Sequence, residues 1–245
     1  MKNLLNYVTR GGGRNLSSSR AFTLAEVLVT LGIIGVVSAM TVPTLMQNHQ
    51  RKTYVTQLHK VYSEVQQALI RYQNDKNAVN LKEAGLNSKA AVQAFFYEYF
   101  NVIQECGGVT APCFADLYKN INGGNVNFNK GWGSGSCVTM SSGSSICMDY
   151  PASNGSYGWV FIDINSKQGP NILGRDAFYL AIFPDGVLDV AGATVDCRKN
   201  GLCGAEGDTL KDIRGTADNC KSGNNEYTGS KCFGQILNDN WEMNY

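Results

Sequence analysis

No cysteine precedes Cys106, no acidic residue precedes Glu26, and the 245 residues hold only two histidines, His49 and His59. Each scarcity excludes something. Everything beyond His59 lacks the usual general base and the commonest zinc ligand, and no C-x-x-C occurs, which argues against a zinc site and against a thiol-redox enzyme. No G-x-S-x-G elbow or paired metal-ligand motif is present either, so a hydrolytic site has no recognisable parts. Charged residues make up 17% of the chain, yet 43% is hydrophobic. That is too apolar for a disordered chain and sufficient for one or two packed domains.

What is present is unevenly distributed. The first 21 residues carry Lys2, Arg10, Arg14 and Arg20 and no acid. Without them 17 bases face 20 acids, a net charge of −3 in place of +1. A strongly basic nucleic-acid-binding protein is thereby excluded, and nucleic acid is not indicated as a partner. Phe22 to Met46, FTLAEVLVTLGIIGVVSAMTVPTLM, contains one charge, Glu26. Its 25 residues exceed the roughly 20 that cross a bilayer as a helix. With the bases ahead of it, the positive-inside rule keeps the N-terminus in the cytoplasm and exports the rest, including all eight cysteines. A secretory signal peptide would show a small-residue cleavage site after its apolar core. Here Gln47, Asn48, His49, Gln50, Arg51 and Lys52 follow, so a plain reading is an uncleaved signal anchor.

The stretch SRAFTLAEVLVTLGIIGVVSAMTVP resembles the N-terminal signature of type IV prepilins and of type II secretion pseudopilins. The resemblance implies cleavage by a prepilin peptidase between Ala21 and Phe22 and N-methylation of the new Phe22 amine. Phe22, Glu26 and Pro43 match the family pattern, whereas Ala21 stands where the family usually has Gly. The resemblance further implies that Glu26 of one subunit meets the Phe22 amine of a neighbour during assembly. A carboxylate at the centre of a membrane costs about 2.5 to 3.5 kcal/mol, so an acid in such a segment points to a functional role. Its plain role is dipole compensation in the first helical turn, worth about 0.3 to 1 kcal/mol. Pro43 removes a backbone donor, and a helix kink is expected there.

Beyond Pro43, Val55, Leu58, Tyr62, Val65, Leu69 and Tyr72 recur every three or four residues, one apolar helical face. The pattern predicts one helix over Phe22–Gln73. The expected organisation is a leader, 1–21, then an apolar membrane half of the helix, 22–46, an amphipathic half, 47–74, and an extracytoplasmic head, 75–245. Within the head, Asp75 to Ser88 reads as a loop, Lys89 to Glu105 as a second helix, and the Gly/Ser-rich stretch Gly131 to Ser145 as another loop. Trp159–Ile164, Ala177–Phe183 and Val187–Val190 read as strands, the last two joined by the turn Pro184-Asp185-Gly186. Cys232–Tyr245 reads as a terminal hairpin. The fold class is α+β and pilin-like, an antiparallel sheet laid on the long helix.

Exported cysteines favour disulfides, although eight cysteines allow 105 connectivities. Each successive pair brackets a turn-rich segment, which makes local pairing plausible: Cys106 with Cys113, Cys137 with Cys147, Cys197 with Cys203, Cys220 with Cys232. No cofactor or metal is expected. Because some pseudopilins bind calcium, Asp163, Asn165, Asn171 and Asp176, and separately Asp196, Glu206, Asp208 and Asp212, are weak candidates. Neither set matches the regular calcium loop, and solvated turns are the plainer reading.

The sequence leads to a structural filament subunit, not an enzyme. The partners the resemblance implies are other pilin or pseudopilin subunits, the prepilin peptidase, an inner-membrane assembly platform, and membrane lipid before assembly. The expected location is the bacterial inner membrane, single-pass, and then a periplasmic or cell-surface filament. Alternatives are a minor tip or adhesin-like subunit, or an exported protein on an uncleaved anchor.

Overall fold

A computed structural model describes residues 22–126, 135–150, 158–203, 207–222 and 228–245. The leader, with Ala21, and positions 131–134 of the Gly/Ser-rich stretch lie outside them. The chain divides into two compact units, one ending at Met46 and the other running Gln47–Tyr245. Helix α1, Leu24–Asp75, contributes to both.

In the first unit α1 is exposed on every side, with Leu28, Leu31, Ile34 and Val37 all more than half exposed. This part of α1 is long and apolar enough to cross a membrane. The helix continues through Pro43. Proline has no N–H, so the carbonyl of Ala39 lacks its partner four residues on.

The second unit is built on sidedness. Its part of α1 buries Val55, Leu58, Val61, Val65, Ala68, Leu69 and Tyr72. Helix α2, Lys89–Tyr99, starts where the Ser88 hydroxyl accepts from the Ala91 N–H and buries Val92, Phe95 and Phe96. Strands β1 (Val102–Gly107), β4 (Ser136–Met140), β5 (Ser145–Met148), β6 (Gly158–Asp163), β7 (Ala177–Ile182) and β8 (Leu188–Asp189) form an antiparallel sheet in the order β1-β4-β5-β6-β7-β8. Two short pairs stand apart, β2 (Tyr118–Lys119) with β3 (Asn125–Val126), and β9 (Leu202–Cys203) with β10 (Asp208–Thr209).

Alternation along the strands gives the sheet two apolar faces. Val138, Met140, Ile146, Met148, Val160, Ile162, Phe178 and Leu180 join the core of α1 and α2. Cys137, Cys147, Phe161 and Ala177 point the other way, into a second cluster with Cys106, Cys113, Phe114 and Tyr118. Helices α3 (Val195–Asn200), α4 (Leu210–Arg214), α5 (Ala217–Ser222) and α6 (Thr228–Asn238) complete the unit, with α6 against β7. Disulfides join Cys106–Cys113, Cys137–Cys147, Cys197–Cys203 and Cys220–Cys232, leaving no free cysteine. The second of these links residues directly opposite each other on β4 and β5.

Three expectations are corrected. The helix expected over Lys89–Glu105 ends at Tyr99, because Phe100 adopts an extended backbone and Val102–Gly107 pairs with β4. The loop expected over Gly131–Ser145 contains β4, whose Val138 and Met140 reach the core while Ser136 is buried between neighbours. The terminal hairpin is instead a helix through Asn238 and an unpaired tail. In that tail Met243 is buried and Glu242 and Asn244 are exposed, so the alternation is real but has no partner strand.

Candidate functional site

The start of α1 is a reciprocal cap. Glu26 Oε2 accepts from the Thr23 backbone N–H and from the Thr23 hydroxyl, each at 2.8 Å. Thr23 Oγ1 accepts in turn from the Glu26 N–H at 3.2 Å. This is a capping box, with the N-cap hydroxyl and the acid three residues on satisfying each other's orphan donors. It holds the Glu26 carboxylate beside the first turn, against Thr23, the residue that follows the exposed Phe22. A carboxylate so placed is available to a positive group approaching the helix start. Thr23 is absent from the candidates drawn from the sequence, although its T-x-x-E spacing is legible there.

Pro43 lies 17 residues further along the same helix. Thr41, two residues before it, turns its hydroxyl back to the Val37 carbonyl at 3.0 Å. A back-bonded Thr and a proline within one turn both perturb the helical ladder.

In the head, Asp163, Asn165 and Asp176 come together at the end of β6. Asp163 is fully buried and accepts from the Tyr118 hydroxyl and from the Asn165 N–H. Asp176, also buried, accepts from the Asn171 and Ile172 N–H groups at 2.8 and 2.7 Å. Burial pushes the Asp163 carboxyl well above the usual carboxylate range, against the Tyr118 hydrogen bond and with help from the Asp176 charge. Burial raises Asp176 as well. These carboxylates fasten loops to the sheet. Among the described residues no group of three or more His, Cys, Asp or Glu is placed to hold a metal ion. In the other acidic stretch Asp212 completes a capping box with Thr209, and Glu206 lies outside the described residues.

The histidines belong to α1, where the His59 ring meets the Trp241 ring edge-on, centroids 4.2 Å apart. Trp241 also packs on Tyr62, and the tail ends with the Tyr245 hydroxyl donating to the Gly174 carbonyl at 2.6 Å. The C-terminus is thus pinned to α1 and to the loop before β7.

Residues 16–42 match the family model of the prokaryotic N-terminal methylation motif. No curated protein and no solved structure matches the chain significantly. The matched residues contain the Ala21–Phe22 junction, Thr23 and Glu26 and end just before Pro43. The chain carries the prokaryotic N-terminal methylation motif, the signature of type IV prepilins and pseudopilins.

Proposed function

We propose that the chain is a structural, non-catalytic subunit of an extracytoplasmic filament, a pilin or pseudopilin of a type IV pilus or type II secretion system. A prepilin peptidase cuts between Ala21 and Phe22 and methylates the Phe22 amine. The apolar half of α1 then holds the subunit in the inner membrane until an assembly platform adds it to its neighbours. The observation that carries this reading is the methylation motif lying over the capped start of a long exposed apolar helix.

The chemistry is a pairing of opposite charges in a water-poor place. Methylation leaves the Phe22 amine positive, and the Glu26 carboxylate of a neighbour neutralises it, removing the cost of burying either alone. The Thr23 cap supports the carboxylate before the partner arrives. Apolar surfaces of adjacent α1 helices cover one another once lipid is left behind.

The test is Glu26→Val in cells that make the filament. Cleavage and methylation continue, while the variant accumulates in the membrane and is missing from sheared filaments. Normal incorporation would refute the assembly role of Glu26. The head carries, beyond its sheet, the two-disulfide segment α3–α6. That bulk favours, as a second reading, a minor tip subunit, and the stoichiometry of the chain in sheared filaments separates the two.

A further inference from the structure

We propose that a cationic cleft at the beginning of the head docks on the anionic phospholipid headgroups of the leaflet into which the span emerges. The inference rests on the reading that Phe22–Met46 crosses a membrane. Gln47, Gln50, Arg51 and Tyr54 of α1 form one wall of the cleft, and Gly169, Pro170 and Arg175 of the loop before β7 form the other. Arg51 and Arg175 therefore line one opening, and no acidic residue is among the residues that line it.

Of the five arginines in the second unit, Arg71 lies over the Tyr99 ring and lines a separate groove that also holds Glu64. Arg198 is committed to Asp185 and Arg214 to Asp189. Arg51 and Arg175 are exposed, and among the described residues neither forms an ion pair. Guanidinium forks of this kind suit phosphate oxygens. The second wall is held in place from behind. Asp176 ties the backbone at Asn171 and Ile172, and Tyr245 ties Gly174. Both arginines also act on the partly buried Tyr245 phenol, favouring its ionised form against a larger effect of burial and the smaller opposing charge of Asp239.

Position along the chain supplies the occupant. Gln47, the residue directly after the apolar run, is itself a wall of the cleft. Arg51 lies five residues beyond Met46, about 7.5 Å along a helix. The headgroup layer on each side of a bilayer is about 5 to 7.5 Å deep. Along the chain, the α1 wall from Gln47 to Arg51 therefore covers the depth of that layer and ends at its outer edge. The surroundings of the cleft fit that level. Tyr54 lines the cleft, and Trp241 shares the adjoining groove with Arg51 and Lys52, where Glu242 is the one acid. Tyr and Trp favour the membrane interface, and basic residues next to a span are drawn to anionic lipid. Docked in this way, a subunit waiting in the membrane has its head seated on the leaflet, and extraction into a filament breaks those contacts.

The experiment uses the mature full-length chain in bilayer discs of phosphatidylcholine alone and in discs that also contain phosphatidylglycerol, with hydrogen exchange read over 168–176. Exchange is expected to be at least about fivefold slower with phosphatidylglycerol, the factor that one basic residue's attraction of about 1 kcal/mol provides. The double variant Arg51→Gln/Arg175→Gln is expected to lose the difference while exchange in β6 and β7 stays unchanged. Equal exchange in the two lipids, or a difference that survives in the double variant, would overturn the proposal. So would the same protection produced by inorganic phosphate in phosphatidylcholine discs, which would make the cleft a site for free anions. A chain that does not enter discs of either composition would remove the membrane reading itself, and the docking with it.

Discussion

Arg214 and Asp189 form a two-pronged ion pair, with Nη2 2.6 Å from Oδ2 and Nε 3.1 Å from Oδ1. Only 2% of the Asp189 side chain is exposed. The pair fastens α4 to β8, the last strand of the sheet. On the neighbouring residue, the Leu188 carbonyl accepts from the Tyr62 hydroxyl of α1 at 3.2 Å. Burial, the larger influence, and the Asp189 charge push the Tyr62 phenol up to about 12, so it remains a donor at any physiological pH.

Removing one partner of a buried pair strands the other charge, at a cost of about 3 to 5 kcal/mol. Arg214→Leu should lower the stability of the head by that order in denaturant unfolding. The double variant Arg214→Leu/Asp189→Asn should recover part of the loss, because no unpaired charge is then left.

Gly234 of α6 tests packing against propensity. A Cβ there would lie 2.1 Å from the Arg214 carbonyl oxygen. Alanine gains about 1 kcal/mol over glycine inside a helix, but here backbone must move. Gly234→Ala should therefore destabilise the head by about 1 to 3 kcal/mol in the same assay. A more stable variant would show that α6 and the end of α4 are not in contact.

Much of this architecture was legible from spacing and composition. The period of Val55, Leu58, Val65 and Leu69 defines a buried helical face, and the apolar runs around Phe161 and Leu180 are paired strands. Other elements were hidden by physical ambiguity. Val102 and Ile103 continue the helical spacing of Phe95 and Tyr99, and only the β-branched pair hints at the change to β1. Ser136 and Ser145 look like loop residues, yet both are buried in paired strands. Trp241, Met243 and Tyr245 alternate as a strand would, but what they cover is a helix and a loop. At the candidate site, Glu26 and Phe22 follow from the motif, whereas Thr23 emerges from the cap geometry.

Asp163 gives the head an unusual pH dependence. Its folded carboxyl titrates well above the ordinary value because it is buried, so the neutral form is favoured in the fold. The stability it contributes is fully present below the unfolded value, about 3.9, and is lost as pH rises through the raised folded value. Between the two, the limiting slope is about 1.4 kcal/mol per pH unit. The stability of the natural chain relative to Asp163→Asn should fall as pH rises from 4 through that window. Thermal unfolding of both proteins across pH provides the check, and a constant difference would contradict the burial of this carboxyl.

The central claim concerns where the mature chain begins. Purifying the protein from cell membranes and determining its N-terminal residue and intact mass tests it most directly. The account predicts a chain that starts at Phe22, carries one methyl group on its amine and lacks the first 21 residues. A chain that starts at Met1 with an unmodified amine would contradict it.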